Sequence, residues 1–176
     1  KGLSDSAVKD SFIFISTFHD GIYRSADGTQ TWENVGINGN YFAVSGENIY
    51  ATHHTGIYHS IDNGSNWELV GLNDNSFYGI VAFDNSVIAG VFNNGFFYSS
   101  DNGRNWRTIN EGLDSIPHNI ADITIKDGYL YAAIDDLSIW KRSISNITGS
   151  NANNEKVPED FILYQNYPNP FNPTTI

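Results

Sequence analysis

The chain has 176 residues, and 9 Lys and Arg against 20 Asp and Glu give it a formal net charge of −11. It contains no Cys, which excludes a disulfide scaffold, a thiolate metal site and a cysteine nucleophile. The negative charge argues against a nucleic-acid binder, and no apolar run approaches the roughly 18–20 residues that span a bilayer.

Short strands separated by turns are predicted along most of the chain. Runs rich in β-branched and aromatic residues alternate with Gly, Asn and Asp, which tolerate the backbone of tight turns. The predicted strands are residues 13–18, 32–35, 41–44, 49–53, 67–70, 78–83, 87–92, 106–109, 120–125 and 129–134, with a further strand after each turn. The innermost strand of the first repeat is expected to be short or missing.

Three segments of the chain repeat one another. Residues 21–32, 56–67 and 95–106 share an apolar strand, a Ser-x-Asp loop and a closing Trp, and residues 138–143 repeat the strand alone. With the strands before and after it, each repeat has four strands in roughly 35–43 residues, which is typical of a β-propeller blade. The prediction is an all-β fold with about 3.5–4 four-stranded blades, and a β-sandwich or a β-solenoid is the alternative.

The repeated loop motif is Ser-x-Asp-x-Gly-x-Asn/Thr-Trp. It resembles the Asp-box, or BNR repeat, of sialidase-like and sortilin-like propellers. The matching residues are Ser25, Asp27 and Trp32; Ser60, Asp62, Gly64 and Trp67; Ser99, Asp101, Gly103 and Trp106. The first copy departs from the pattern because Thr29 stands where the others have glycine. Residues 25–32, 60–67 and 99–106 are named Ser-Asp loops 1, 2 and 3 below.

A structural role is predicted for the three loop aspartates. A short carboxylate can accept several backbone N–H groups of its own hairpin loop, and Gly supplies a positive φ. A catalytic site needs unlike groups at one point, whereas these acids recur once in each blade. No catalytic residue, metal or cofactor is therefore predicted, and a glycoside hydrolase of Asp-box type is kept as the alternative.

A binding face is predicted where loops between blades meet the turns from second to third strands. Aromatic side chains beside Asn, Asp and His suit a carbohydrate or peptide surface, although the aromatics could equally be core residues. The candidate residues are His19, Asp20, His54, Phe77, Tyr78, Asn93 and Asp135.

The C-terminal segment differs in composition from the repeats. Residues 146–160 are predicted as a flexible linker after a propeller at 1–145, and residues 161–176 contain three prolines close together. This last segment resembles the start of the C-terminal sorting domain of type IX (Por) secretion substrates from Bacteroidetes and related bacteria. The matching motif is Tyr167, Pro168, Asn169, Pro170, Phe171, Asn172 and Pro173.

The resemblance implies export to the surface of a Gram-negative bacterium, with the type IX machinery as partner. It also implies a truncated sorting domain, so the chain is expected to be the C-terminal part of a longer surface protein. The predicted function is a non-catalytic binding module for a carbohydrate or a protein. A structural subunit of an extracellular assembly that associates with itself is the third hypothesis, because an unclosed array exposes sheet edges.

Overall fold

Strands and tight turns make up most of the computed structural model, which describes residues 2–17, 20–113, 120–134 and 138–149. The strands are β1 (Leu3–Lys9), β2 (Phe12–Thr17), β3 (Gly21–Ser25), β4 (Glu33–Asn34), β5 (Phe42–Ser45), β6 (Asn48–His53), β7 (Gly56–Ser60), β8 (Glu68–Gly71), β9 (Phe77–Phe83), β10 (Ser86–Val91), β11 (Gly95–Ser99), β12 (Arg107–Thr108), β13 (Ile120–Lys126), β14 (Tyr129–Ile134) and β15 (Ser138–Ser143). A short helix, α1 (Ile144–Thr148), follows the last strand.

The strands form four antiparallel sheets, each built from strands consecutive in the chain. Three sheets have four strands, in the orders β1-β2-β3-β4, β5-β6-β7-β8 and β9-β10-β11-β12, and the fourth has the order β13-β14-β15. They are named blades 1 to 4. Within a blade, each strand after the first pairs with the strand before it, so the chain meanders outward from the first strand.

The blades pack side by side around an axis lined by their first strands. β5 lies between β1 and β9, and β9 lies between β5 and β13. β1 and β13 are the first strands of the two blades at the ends of the series. Among the described residues, these two strands do not pack against each other in the same way. The molecule is thus an arc of β-propeller blades, which confirms the all-β propeller prediction.

The hydrophobic core is divided among the three contacts between blades. Phe14 and Ile22 of blade 1 pack against Phe42 and Ile49 of blade 2. Two further clusters join blades 2 and 3 and blades 3 and 4. β10 is buried along its whole length because both faces of its blade are covered. Burial of sheet faces between neighbouring blades therefore stabilises the arc.

Two expectations change with the structure. The first strand of blade 1 is complete, since β1 has seven residues and pairs with β2 along its length, so the expectation of a short or missing strand was wrong. Helix α1 includes residues 146–148, and Ile147 is fully buried against blades 3 and 4. The packed structure therefore reaches Gly149, beyond the predicted boundary at 145.

Several predicted features lie outside the described residues. These are His19, Asp135, the rest of the predicted linker, and the sorting motif from Tyr167 to Pro173. In the part of the chain that is described, no helix is long and apolar enough to cross a membrane.

Candidate binding face

Because the strands of each blade alternate in direction, successive turns lie at opposite ends of the arc. One end carries the Ser-Asp loops and the turns from first to second strands, and it is named the loop face. The other end carries the turns from second to third strands and the connections between blades, and it is named the turn face. Lys9 at the end of β1 donates to Asn63 Oδ1 in Ser-Asp loop 2, which shows that the first turn and the loop lie together.

The three Ser-Asp loops share one hydrogen-bond pattern. In loop 2, Ser60 Oγ donates to Asp62 Oδ1 at 2.9 Å and accepts the N–H of Gly64 at 2.9 Å. Asp62 Oδ1 also accepts the N–H of Asn66, while Oδ2 accepts its side-chain amide at 2.7 Å. Loops 1 and 3 repeat these bonds around Asp27 and Asp101.

These bonds also determine the ionisation of the loop aspartates. The side chains of Asn66 and Asn105 donate hydrogen bonds to Asp62 and Asp101, and the backbone N–H groups of the same asparagines donate a second bond. These bonds lower the pKa of Asp62 and Asp101 to about 2. Thr31 does the same for Asp27, whose pKa is also lowered to about 2. Each carboxylate is therefore an acceptor engaged with its own loop, and it is too weak a base for acid–base catalysis near neutral pH.

Ser-Asp loops 2 and 3 also fasten neighbouring blades together. Trp106 of loop 3 donates from Nε1 to the carbonyl oxygen of Val70 in blade 2, at 3.2 Å. A Cβ added at Gly64 of loop 2 would lie 2.8 Å from the Phe14 ring of blade 1, so the loop backbone touches that ring. Arg24 of blade 1 donates to the carbonyl oxygen of Asn63 in the same loop. Each of these loops therefore docks on the preceding blade.

Ser-Asp loop 1 keeps the same conformation with different residues. Gly28 and Thr29 have φ of 68° and 76°, close to the 55° and 73° of Asn63 and Gly64. The left-handed region costs a β-branched residue more than glycine. Thr29 is therefore the one strained position in a loop that otherwise matches the other two.

Aromatic and histidine side chains mark the turn face. The rings of Tyr78 and Phe92 lie 5.6 Å apart, and Phe92 is 45% exposed. In blade 2 the rings of His53 and His54 lie 3.8 Å apart, and Thr55 Oγ1 joins His53 Nδ1 to the hydroxyl of Tyr58.

The candidate residues that the sequence predicted for this face differ in their exposure to solvent. His54 and Asn93 are exposed at turns, and Asp20 uses its backbone to bind Thr17 and Asn34. Tyr78 is half-buried beside Phe92. Phe77 is a core residue with 6% exposure, packed between blades 2 and 3, so its place among the candidates is corrected.

Sequence reasoning missed Phe92, His53 and Tyr58 as members of the turn face. Phe92 was assigned to the end of a strand, although β10 ends at Val91. Its position directly before Asn93, Asn94 and Gly95 is the signal that could have identified an exposed aromatic residue at a turn.

Burial lowers the pKa of His53, and the neighbouring imidazole of His54 lowers it further. The His53 ring is therefore mainly neutral near pH 7, when it can both donate and accept a hydrogen bond. In the described ranges, no three His, Asp or Glu side chains come together in a way that could hold a metal ion.

The axis of the arc was the other place where an active site could lie. Among the described residues, the innermost strands carry two acids, Asp5 on β1 and Asp122 on β13. Asp5 Oδ2 accepts the N–H of Phe42 in blade 2 at 2.8 Å, so this carboxylate joins two blades.

The comparisons with known proteins give the fold and no family. No family model matches the sequence, and no curated protein matches it either. YCF48 from Cyanidioschyzon merolae superposes with a TM-score of 0.58 at 16% identity, over 76% of this chain and 50% of that one. YCF48 bound to D1 peptide gives 0.61 at 18% identity, over 80% and 51%.

Two other solved structures extend the range of similar proteins. The GH74 xyloglucanase from Xanthomonas campestris gives a TM-score of 0.62 at 16% identity, over 82% of this chain and 30% of the enzyme. The computationally designed protein Ika4 gives 0.63 at 9% identity, over 81% and 91%. This chain has the fold of β-propeller proteins, some of them enzymes and some not, and it spans about half the length of YCF48.

Proposed function

We propose that this protein is a non-catalytic binding module that holds a glycan or an extended peptide on its turn face. The exposed Phe92 ring beside Tyr78 carries the proposal, because aromatic rings offer apolar area with little loss of side-chain entropy. Both ligand classes combine apolar groups with many hydrogen-bonding groups. YCF48, a protein of this fold, is known bound to D1 peptide.

Polar groups around the aromatic pair favour the same function. Asn73, Asn93 and Asn94 are exposed on the connections and turns of the turn face. An amide side chain can donate and accept at once, which suits sugar hydroxyls and peptide groups equally. In blade 2 the His53 ring has Nε2 for a further hydrogen bond, since its Nδ1 is already bonded to Thr55 Oγ1.

Hydrogen bonds within the protein already engage the loop carboxylates and Asp5, and this supports the non-catalytic part of the proposal. The loop aspartates are bound by their own loops, and Asp5 is bound by the backbone of blade 2. The geometry of the Ser-Asp loops also supports a place among Asp-box repeats. In that interpretation the motif serves folding, and the ligand is held at the opposite end of the blades.

The test is the affinity of the whole chain for the glycans and peptides of two arrays, followed by Phe92→Ala. Loss of the ring is expected to weaken binding of the best ligand about 10-fold or more. Ile61→Ala is the matched control, since Ile61 is 67% exposed on the loop face and its loss should leave affinity unchanged. Equal binding by wild type and Phe92→Ala, or binding to neither array, would refute the proposal.

Export by a type IX machinery is proposed for the C-terminal segment. The motif from Tyr167 to Pro173 supports it through its resemblance to sorting domains. The test compares secretion from the full open reading frame with that of a version carrying Tyr167→Ala and Phe171→Ala, in a bacterium that has this machinery. Unchanged secretion of the altered version would count against the proposal.

A further inference from the structure

The contacts between blades follow one rule in the first three blades. The face of each blade that points to the next blade is named its forward face. The second residue of the third strand lies on this face, and Ile22, Ile57 and Phe96 are fully buried there in blades 1, 2 and 3. The same position in blade 4 is Ile139, which is 71% exposed. The forward face of blade 4 is thus uncovered in the described structure.

This uncovered face repeats the residues with which blade 1 holds Ser-Asp loop 2. Lys9 pairs with Phe12 across β1 and β2, and Lys126 pairs with Tyr129 across β13 and β14. One strand further out, Arg24 lies over the Phe12 ring, and Lys141 Nζ lies 3.8 Å from the centre of the Tyr129 ring. A cation packed on an aromatic ring therefore recurs at the same place.

The innermost strand continues the correspondence. Asp5 Oδ1 accepts the N–H of Ser6, and Asp122 Oδ1 accepts the N–H of Ile123 in the same way. In blade 1 the second oxygen, Oδ2, binds the first strand of the next blade through Phe42 N–H. Asp122 is exposed and placed to offer the same acceptor to a further first strand.

Blade 1 presents the matching half of such a contact. Ser-Asp loop 1 is exposed from Ala26 to Trp32, and Trp32 is 38% exposed, whereas Gly64 and Gly103 of the other loops are buried. Val8 is 67% exposed. Ile13 is only partly buried, although Ile49, Val87 and Leu130 at its position in blades 2, 3 and 4 are fully buried.

We propose that the forward face of blade 4 binds blade 1 of a second copy of this chain, and that two copies close a ring of eight blades. Each copy carries both halves of the contact, so a pair can form it twice. Propellers usually have four to eight blades, and three copies of a four-bladed arc would exceed that range. Within the described residues of one copy, β1 and β13 do not pack together as neighbouring first strands do, so these four blades do not close a ring by themselves.

Charge supports a copy of this chain as the occupant. Lys126 and Lys141 place two positive charges on the forward face of blade 4, although the whole chain has a net charge of −11. Ser-Asp loop 1 brings the exposed and ionised Asp27, while Glu33 is paired with Arg24 on the forward face of blade 1 and takes no part in this contact. In blade 1 the corresponding cations are Lys9 and Arg24. Lys9 binds the side chain of Asn63 in loop 2, and Arg24 binds the backbone carbonyl oxygen of Asn63, a group that any residue at this position provides.

The experiment measures the mass of the full chain in solution by light scattering and sedimentation. The expected result for wild type is twice the mass of one chain. Ile139→Asp and Val8→Asp each place a charge in both contacts of the ring and are expected to give single chains. Ile61→Asp is the matched control, because Ile61 is equally exposed on the loop face and should leave the pair intact.

Mixing the two variants tests which faces meet. Ile139→Asp keeps an intact blade 1 and Val8→Asp keeps an intact blade 4, so an equimolar mixture should regain a two-chain species. A mixture that stays as single chains would refute the contact between unlike faces. A wild-type chain of single mass would refute the second copy as the occupant and point to a further blade of a longer polypeptide. Circular dichroism of each variant shows whether it is folded.

Discussion

The indole Nε1 of Trp106 donates to the carbonyl oxygen of Val70, 3.2 Å away in the preceding blade. The two residues belong to different sheets, so this bond holds Ser-Asp loop 3 of blade 3 on blade 2. A Cβ placed on the adjacent Gly71 would lie 2.8 Å from the same Nε1 atom, which shows how closely the ring fits. The motif tryptophan therefore acts between blades as well as within its loop.

Replacing Trp106 with Phe should remove this bond and leave the Val70 carbonyl without its donor. The expected cost is about 1–3 kcal/mol in the free energy of unfolding, measured by chemical denaturation. Ile61→Val, at an exposed site, should change stability by less than about 0.5 kcal/mol. Equal stability of the two variants would show that the bond contributes nothing.

Thr29→Gly should stabilise the protein. The Thr29 backbone has φ of 76°, and relief of that strain should gain about 1 kcal/mol after the entropic cost of glycine is subtracted. The reverse exchange, Gly64→Thr, should cost more than about 2 kcal/mol, because its Cβ would also press on the Phe14 ring. Both values come from denaturation curves, and a loss of stability in Thr29→Gly would contradict the assignment of strain.

Stability should fall as the pH drops from about 4 to about 2. In the unfolded chain the three loop carboxyls bind protons near pH 3.8, whereas in the folded chain Asp27, Asp62 and Asp101 bind them only near pH 2. Between these values the unfolded state holds more protons, so acid favours unfolding. Melting temperatures measured from pH 6 to pH 2 check this, and Asp62→Asn should show a shallower decline than wild type.

Replacing His54 with Gln should raise the pKa of His53 but leave it below its usual value. The charge of His54 is the smaller cause of the depression, and burial of the His53 ring is the larger one. Proton NMR titration of the ring signals measures the change. The His59 signal is the internal control, because burial is the main cause that lowers its pKa and its charged neighbours are Glu68 and Arg104, not His54. An unchanged His53 titration would show that the imidazoles are not coupled.

The sequence predicts the blades well because their strands follow a strong local pattern. Turn residues such as Asn93-Asn94-Gly95 and the Trp that closes each Ser-Asp loop define the repeat before any packing is known. β1 was expected to be short or missing, and Ser4, Asp5 and Ser6 interrupt the apolar pattern that would have indicated it. The role of Asp5 becomes clear only with the next blade, where it binds the backbone of Phe42.

The binding face was harder to predict than the fold. Phe77 and Phe92 are both aromatic and both close to a turn, but only the contacts between sheets bury the first and expose the second. Ile22 and Ile139 likewise occupy one position in the repeat, and their difference in exposure depends on whether a blade lies in front of them. Neither distinction is present in the local sequence.

Helix α1 determines where the chain leaves the last blade. Ile144 donates its N–H to the carbonyl oxygen of Gly128 in the β13–β14 turn, and Arg107 of blade 3 donates to the carbonyl oxygen of Ile147. The described part of the chain consequently ends at the loop face, at the opposite end of the blades from Phe92. Residues 144–149 therefore lie at the far end of the blades from the proposed ligand and leave its approach to Phe92 open.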